Sequence, residues 1–242
     1  TWLTTRIYPA EDRLTPEKVK AASELAIAEM IRGGIVSFSD MYFFCNETAE
    51  AVIESGIKAN LSRSLVSFDP AARIMGDARF AESVELVKHY HNAAKGRLKI
   101  DMSLHAEYTN VEGYIRDVAA YTKDAGLLMQ IHLSETEKEH NECIERHGKT
   151  PTAFLADCGV FDSPATCAHG VYLTDDDMKI LAAKGASVAH NPCSNLKLGS
   201  GVANITKMCE MGVNVTLGTD GAASNNSLDL FREIYTASLL AK

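Results

Sequence analysis

Basic runs, paired cysteines and long apolar stretches are all missing from the 242 residues. No stretch approaches the roughly 20 apolar residues that a bilayer-crossing helix needs. Nor do the first residues show a basic segment followed by an apolar core and a small-residue cleavage site. The expectation is a cytoplasmic chain without a membrane partner. A net charge of −8 with no Lys/Arg cluster argues against a phosphate-backbone ligand, so nucleic acid is not an expected partner. The six cysteines (Cys45, Cys143, Cys158, Cys167, Cys193, Cys209) include no Cys-x-x-Cys pair. In a core-rich chain they read as buried thiols of a reducing compartment rather than a disulfide framework. No Gly-x-Gly-x-x-Gly follows the first strand-like run and no Walker loop occurs, which weakens a nucleotide-cofactor fold. His-Glu-x-x-His and its inverse are absent as well, which removes helix-borne metalloprotease sites.

What remains is a chain that is 46% apolar and long enough to bury one large core, read as a single domain over residues 1–242. Thr1 to Leu14, with Trp2 as its aromatic anchor and a Tyr8-Pro9 break, reads as an irregular connection. Thr15 then caps a helix with Pro16 at its first position, and Gly33-Gly34 stops it. Strand-like runs follow at Ile35 to Phe44, Lys58 to Phe68, Leu98 to Ala106, Leu127 to Leu133, Ala165 to Val171, Ala186 to His190 and Asn214 to Gly218. Helical segments separate them, one opening at Thr48 and closing at Gly56, another capped by Thr174 with three aspartates in its first turn. Seven βα units with apolar strands predict a parallel sheet, and their number points to a (β/α)8 TIM-type barrel with one strand missing.

Polar residues gather at the far ends of these runs: His105, His132 with Glu135, His169, His190 and Asp220. Barrel active sites are built on that rim. Each residue alone has an ordinary explanation: His132 as a satisfied core histidine, His190 before Asn191-Pro192 and Asp220 before Gly221 as turn formers. Together they suit a divalent metal, because imidazole and carboxylate are its usual ligands and strand ends form a ring. Two other patterns do not bind metal. His89-Tyr90-His91 falls on a helical spacing, where residues two apart point away from each other. Pro192-Cys193 starts like half of the cytidine-deaminase zinc site, but Leu196 stands where the second cysteine is needed and no His-x-Glu accompanies it.

The runs His132-Leu-Ser-Glu135, Ala168-His169, His190 to Gly199 and Leu217-Gly-Thr-Asp220 through Ser227 resemble the amidohydrolase superfamily. Within it they are most similar to the 5-methylthioadenosine/S-adenosylhomocysteine deaminases. The resemblance implies that His132 and Asp220 bind one divalent metal, with zinc first and iron or manganese as alternatives. It implies that Glu135 shuttles a proton to the purine ring, that His169 orients the attacking hydroxide and that Asp220 takes a proton from it. Trp2, Glu11, Arg63, Arg79, His105, Glu135 and Ser224 would contact the substrate, Glu11 through the ribose hydroxyls. The implied partner is a small nucleoside, with a homo-oligomer left open. A guanine-deaminase or triazine-chlorohydrolase type of reaction, or a non-catalytic barrel fragment acting as a binding module, stays open as an alternative. The family pattern also includes a His-x-His on the first strand and a small β-sandwich; both lie outside these 242 residues, which supply two of four expected ligands.

Overall fold

The computed structural model describes residues 3–242, so Trp2 lies outside the described residues. Its strands are β1 (Ser37–Tyr42), β2 (Lys58–Arg63), β3 (Leu98–Ile100), β4 (Met102–Leu104), β5 (Met129–Leu133), β6 (Ala165–His169), β7 (Ser187–His190) and β8 (Asn214–Leu217). Every neighbouring pair is parallel, in two ladders ordered β1-β2-β3 and β4-β5-β6-β7-β8. Helices lie between successive strands, except between β3 and β4, as in a barrel wall.

The expected third strand, Leu98 to Ala106, is interrupted at Asp101. The Asp101 amide still donates to Leu61 of β2, whereas the Met102 amide donates to Leu128, on the side of β5. The Asp101 side chain, 2% exposed, holds this change of partner together: its carboxylate accepts from Asn60 Nδ2 (3.0 Å) on β2 and from Gln130 Nε2 (2.9 Å) on β5. One run thus appears as two short strands that join the two ladders. Among the described residues β1 pairs only with β2 and β8 only with β7, so the barrel is open along one seam. Across that seam the Leu228 amide donates to Glu29 Oε1 (3.0 Å) on the helix Pro16–Arg32.

Local signals decide the helix ends. Thr15 caps the Pro16–Arg32 helix through the Lys18 amide, and Thr174 forms a full capping box with Asp177. Other expectations need correction. The arm before Thr15 is helical, a π-turn at Leu3–Ile7 followed by Tyr8–Glu11, because Pro9 falls in a first turn, where its missing N–H costs nothing. The helix expected from Thr48 begins at Cys45, behind Phe44 in a left-handed conformation, without a side-chain cap. Five cysteines are buried and free, but Cys209 is exposed. His89 is exposed on the helix Ala78–Tyr90, whereas His91 turns inward and binds the Ile100 backbone.

The apolar side chains form two buried layers. Ile27, Val52, Leu61, Leu86 and Ile100 pack the first ladder against its helices. Met102, Ile115, Met129, Ile131, Leu155, Cys167, Leu181 and Val188 do the same for the second. Because all strands run one way, their C-terminal ends share one rim, and there the polar residues emerge. Among the described residues no helix is long and apolar enough to cross a membrane.

Candidate active site

Besides Phe44 (φ 53°) after β1, three strands leave their ladders through non-glycine residues with left-handed backbones beside the candidate site: Ser134 (φ 47°) after β5, His169 (φ 77°) ending β6 and Asp220 (φ 58°) after β8. Each costs conformational energy that only surrounding contacts can offset, and such residues cluster at functional sites. Here they turn His132, Glu135, His169 and Asp220 toward one region of the rim.

His132 donates from Nδ1 to the His105 carbonyl (2.7 Å), which leaves the Nε2 lone pair free. Burial, together with the nearby His169, pushes its pKa down, so the imidazole is neutral as a metal ligand must be. The rings of His105, His132 and His169 follow one another with centroids 4.9 and 5.6 Å apart. Burial and the neighbouring His132 lower the His105 pKa to about 4. His169, 2% exposed, donates from Nδ1 to Asn195 Oδ1 (2.9 Å), and its Nε2 lies 3.9 Å from Glu135 Oε2. Glu135 Oε1 accepts from the Ser200 hydroxyl (3.0 Å).

Asp220 receives three hydrogen bonds, from Ser194 Oγ (2.6 Å), Ser224 Oγ (3.0 Å) and the Gly221 amide (2.7 Å). Desolvation opposes ionisation, but His169, these donors and His132 outweigh it, and the pKa falls below the ordinary carboxylate value. The short helix Pro192–Leu198 supplies both Ser194 and Asn195, so one element braces Asp220 and His169. Gly218 carries no side chain because a Cβ there would lie 2.4 Å from Asn191 Oδ1, at the entry to the same helix. An ionised carboxylate and a neutral imidazole with Nδ1 already committed are two donors of the kind that could hold a divalent metal. Among the described residues no three His, Cys, Asp or Glu side chains are grouped closely enough to hold an ion.

The other expected contacts divide. Glu11 reaches the rim through Tyr42, whose hydroxyl donates to its Oε1 (2.7 Å) at the end of β1. Arg63 ends β2, lies over Phe43 (5.0 Å to the centroid) and pairs with Glu82 (2.7 Å). Arg79 is exposed and donates to the Val66 carbonyl (3.2 Å). No hydrogen bond or ion pair joins either arginine to the histidine row among the described residues. Ser224, expected to face substrate, directs its hydroxyl at Asp220. His190, 1% exposed, has no partner on either ring nitrogen among the described residues, and burial with His169 lowers its pKa to about 4.

Sequence reasoning missed the residues that hold these groups: Ser194, Asn195, Ser200, Tyr42 and Glu139. Glu139 alone had a local signal, the Thr136-x-x-Glu139 spacing of a capping box.

The amidohydrolase family profile matches residues 1–242. The chain belongs to the amidohydrolase family. This amidohydrolase is 46% identical over 241 residues to a 5'-deoxyadenosine deaminase of Methanosarcina mazei, matching 100% of the chain and 55% of that relative. It is 44% identical over 243 residues to a 5-methylthioadenosine/S-adenosylhomocysteine deaminase of Dictyoglomus thermophilum, covering 56% of it. The chain therefore spans about half the length of these curated relatives. A solved adenosine deaminase from Xanthomonas campestris with bound zinc superimposes with a TM-score of 0.92 at 33% identity, over 100% of this chain and 55% of that one. A guanine deaminase from C. acetobutylicum, at 20% identity and a TM-score of 0.90 over 99% of this chain and 59% of that one, shares the fold. The parallel sheets are accordingly those of a partial TIM-type barrel.

Proposed function

We propose that this amidohydrolase chain, one partial barrel domain, carries the proton-transfer half of a hydrolytic deaminase. Its substrate would be an adenosine-type nucleoside: 5-methylthioadenosine, S-adenosylhomocysteine or adenosine. The observation that carries the proposal is Glu135 set between the Ser200 hydroxyl and the His169 ring, beside His132 and the ionised Asp220. The deaminase names of the relatives, 41–46% identical across the whole chain, favour an adenosine-type ring over other heterocycles.

In this reading His132 Nε2 and Asp220 are metal ligands. A bound divalent ion, zinc first with iron or manganese as alternatives, would lower the pKa of water so that a nucleophile exists near neutral pH. Asp220 accepts a proton as water adds to C6 of the ring. Glu135 delivers a proton to N1, which lets the ring accept the electrons, and then helps ammonia leave. His169, fixed by Asn195, aims its Nε2 at the attacking oxygen. The products are the inosine analogue and ammonia. Glu11, held by Tyr42, accepts from the ribose hydroxyls, and Arg63, Arg79 and His105 lie toward the sugar and its 5' substituent.

The test uses protein expressed from its complete reading frame. It should release ammonia from at least one of the three nucleosides. Glu135→Gln keeps the volume but cannot exchange the proton, so turnover should fall on the order of 10²–10⁴-fold with metal still bound. No ammonia from any of the three, or unchanged turnover in the variant, would refute the assignment.

A further inference from the structure

We propose that Glu139 is the positioning residue for Glu135, and that the proton carrier works as a two-carboxylate unit joined through the backbone. The inference rests on the deaminase reading for its kinetic part. Its structural part stands apart from it.

At the end of β5 the chain must stop pairing and turn. Ser134, wholly buried, takes the left-handed conformation that a serine adopts at a cost, and its hydroxyl has no partner among the described residues. Its carbonyl accepts from the Tyr172 amide (3.0 Å), which ties one side of the turn to the loop after β6. The other side is held by Glu139. Oε1 accepts from the Ser134 amide (3.0 Å) and Oε2 from the Glu135 amide (2.8 Å), so both oxygens of one carboxylate hold two consecutive peptide units. Glu139 is 5% exposed and sits on the third residue of the helix Glu137–His147, where its own amide donates to the Thr136 cap (3.2 Å). Burial raises its pKa to about 7 against the pull of those backbone amides.

The consequence falls on Glu135. With its peptide plane held on the N-terminal side, its side chain reaches Ser200, 65 residues away, and stands 3.9 Å from His169. The ordinary capping box would aim the helix's third side chain at the cap amide alone. Here it reaches back to the amides of the strand exit. An ionised carboxylate offers an acceptor on each oxygen and no competing donor, which suits two consecutive amides. A glutamine would turn an NH₂ group toward one of the two N–H donors.

The experiment is a double-mutant cycle in protein expressed from its complete reading frame, with Glu139→Gln, Glu135→Gln and both together. Glu139→Gln should lower kcat about 100-fold while KM and metal content stay within about threefold. The double variant should be no slower than Glu135→Gln alone. Glu139→Asp, a methylene short of both amides, should recover no more than a tenth of the lost rate. Losses that multiply in the double variant, or a Glu139→Gln enzyme within threefold of wild type, would overturn the proposal.

If Glu139→Gln folds poorly, adding Ser134→Gly removes the cost of the left-handed turn. Folding should return without turnover, and return of both would overturn the positioning role. Amide exchange in the same protein, from its complete reading frame, reads the same contact without substrate. Glu139→Gln should speed exchange at Ser134 and Glu135 at least tenfold and leave Ile131 unchanged; unchanged exchange at the two sites would overturn it. Wild-type inactivity on all three nucleosides, with exchange altered as expected, would sink the deaminase reading and support the turn assignment.

Discussion

The residues around the rim differ in what their charges cost. Asp40 on β1 has no hydrogen-bond or ion-pair partner for its carboxylate among the described residues, and desolvation alone raises its pKa to about 6 from 3.8. The folded state then binds more protons than the unfolded chain between those values, so stability falls as pH rises from about 4 to about 6. Asp40→Asn should therefore stabilise the protein above pH 6, by on the order of 1–2 kcal/mol once its partial exposure is allowed for, and leave it unchanged near pH 3.5. Thermal melts at the two pH values check this, and an equal effect at both would contradict it. Glu11 makes a different case. If it accepts both ribose hydroxyls, Glu11→Ala should raise KM for nucleosides at least tenfold and leave any activity on free adenine unchanged. Equal effects on both substrates would remove it from the sugar site.

Among elements, the helix Pro192–Leu198 carries more of the site than its seven residues suggest. Ser194 fixes Asp220, Asn195 fixes His169, and the Cys193 amide is held by the buried Glu233 carboxylate (3.1 Å). Asn195→Ala would leave His169 Nδ1 buried without a partner, which costs about 1–3 kcal/mol and frees the ring to rotate. Its expected signature is a lowered midpoint in urea together with a kcat loss, measured on the same preparation. Thr174→Ala serves as the contrast. It removes a capping box whose hydrogen bonds run to Asp177 and not to His132, Glu135, His169 or Asp220, and should cost about 1 kcal/mol of stability with no change in kcat.

At the scale of the molecule, the donor set and the open seam belong together. In the proposed reading His132 and Asp220 would be two ligands, and two would leave most of an ion's coordination to water. The 242-residue chain alone should therefore hold zinc weakly, with calorimetric titration giving a dissociation constant in the micromolar range or above. Close to one tightly held zinc per chain would show that further ligands converge from residues not assigned here. Among the described residues no ladder closes the seam, and the Leu228 to Glu29 hydrogen bond bridges it.

Local chemistry was enough to read the alternation of strands and helices, the caps at Thr15 and Thr174, and the placing of His132, His169 and Asp220 at strand ends. Periodicity, glycine stops and capping side chains act within a few residues, so they survive in the order of amino acids. The break at Asp101 did not, because Leu98 to Ala106 is uniformly compatible with one strand and only its neighbours on either side impose the change of partner. Nor did the bracing of the site: Ser194 meets Asp220 and Asn195 meets His169 across 26 residues, and Ser200 meets Glu135 across 65. Those contacts have no period, and they exist only once the parallel strands have curved their ends onto one rim.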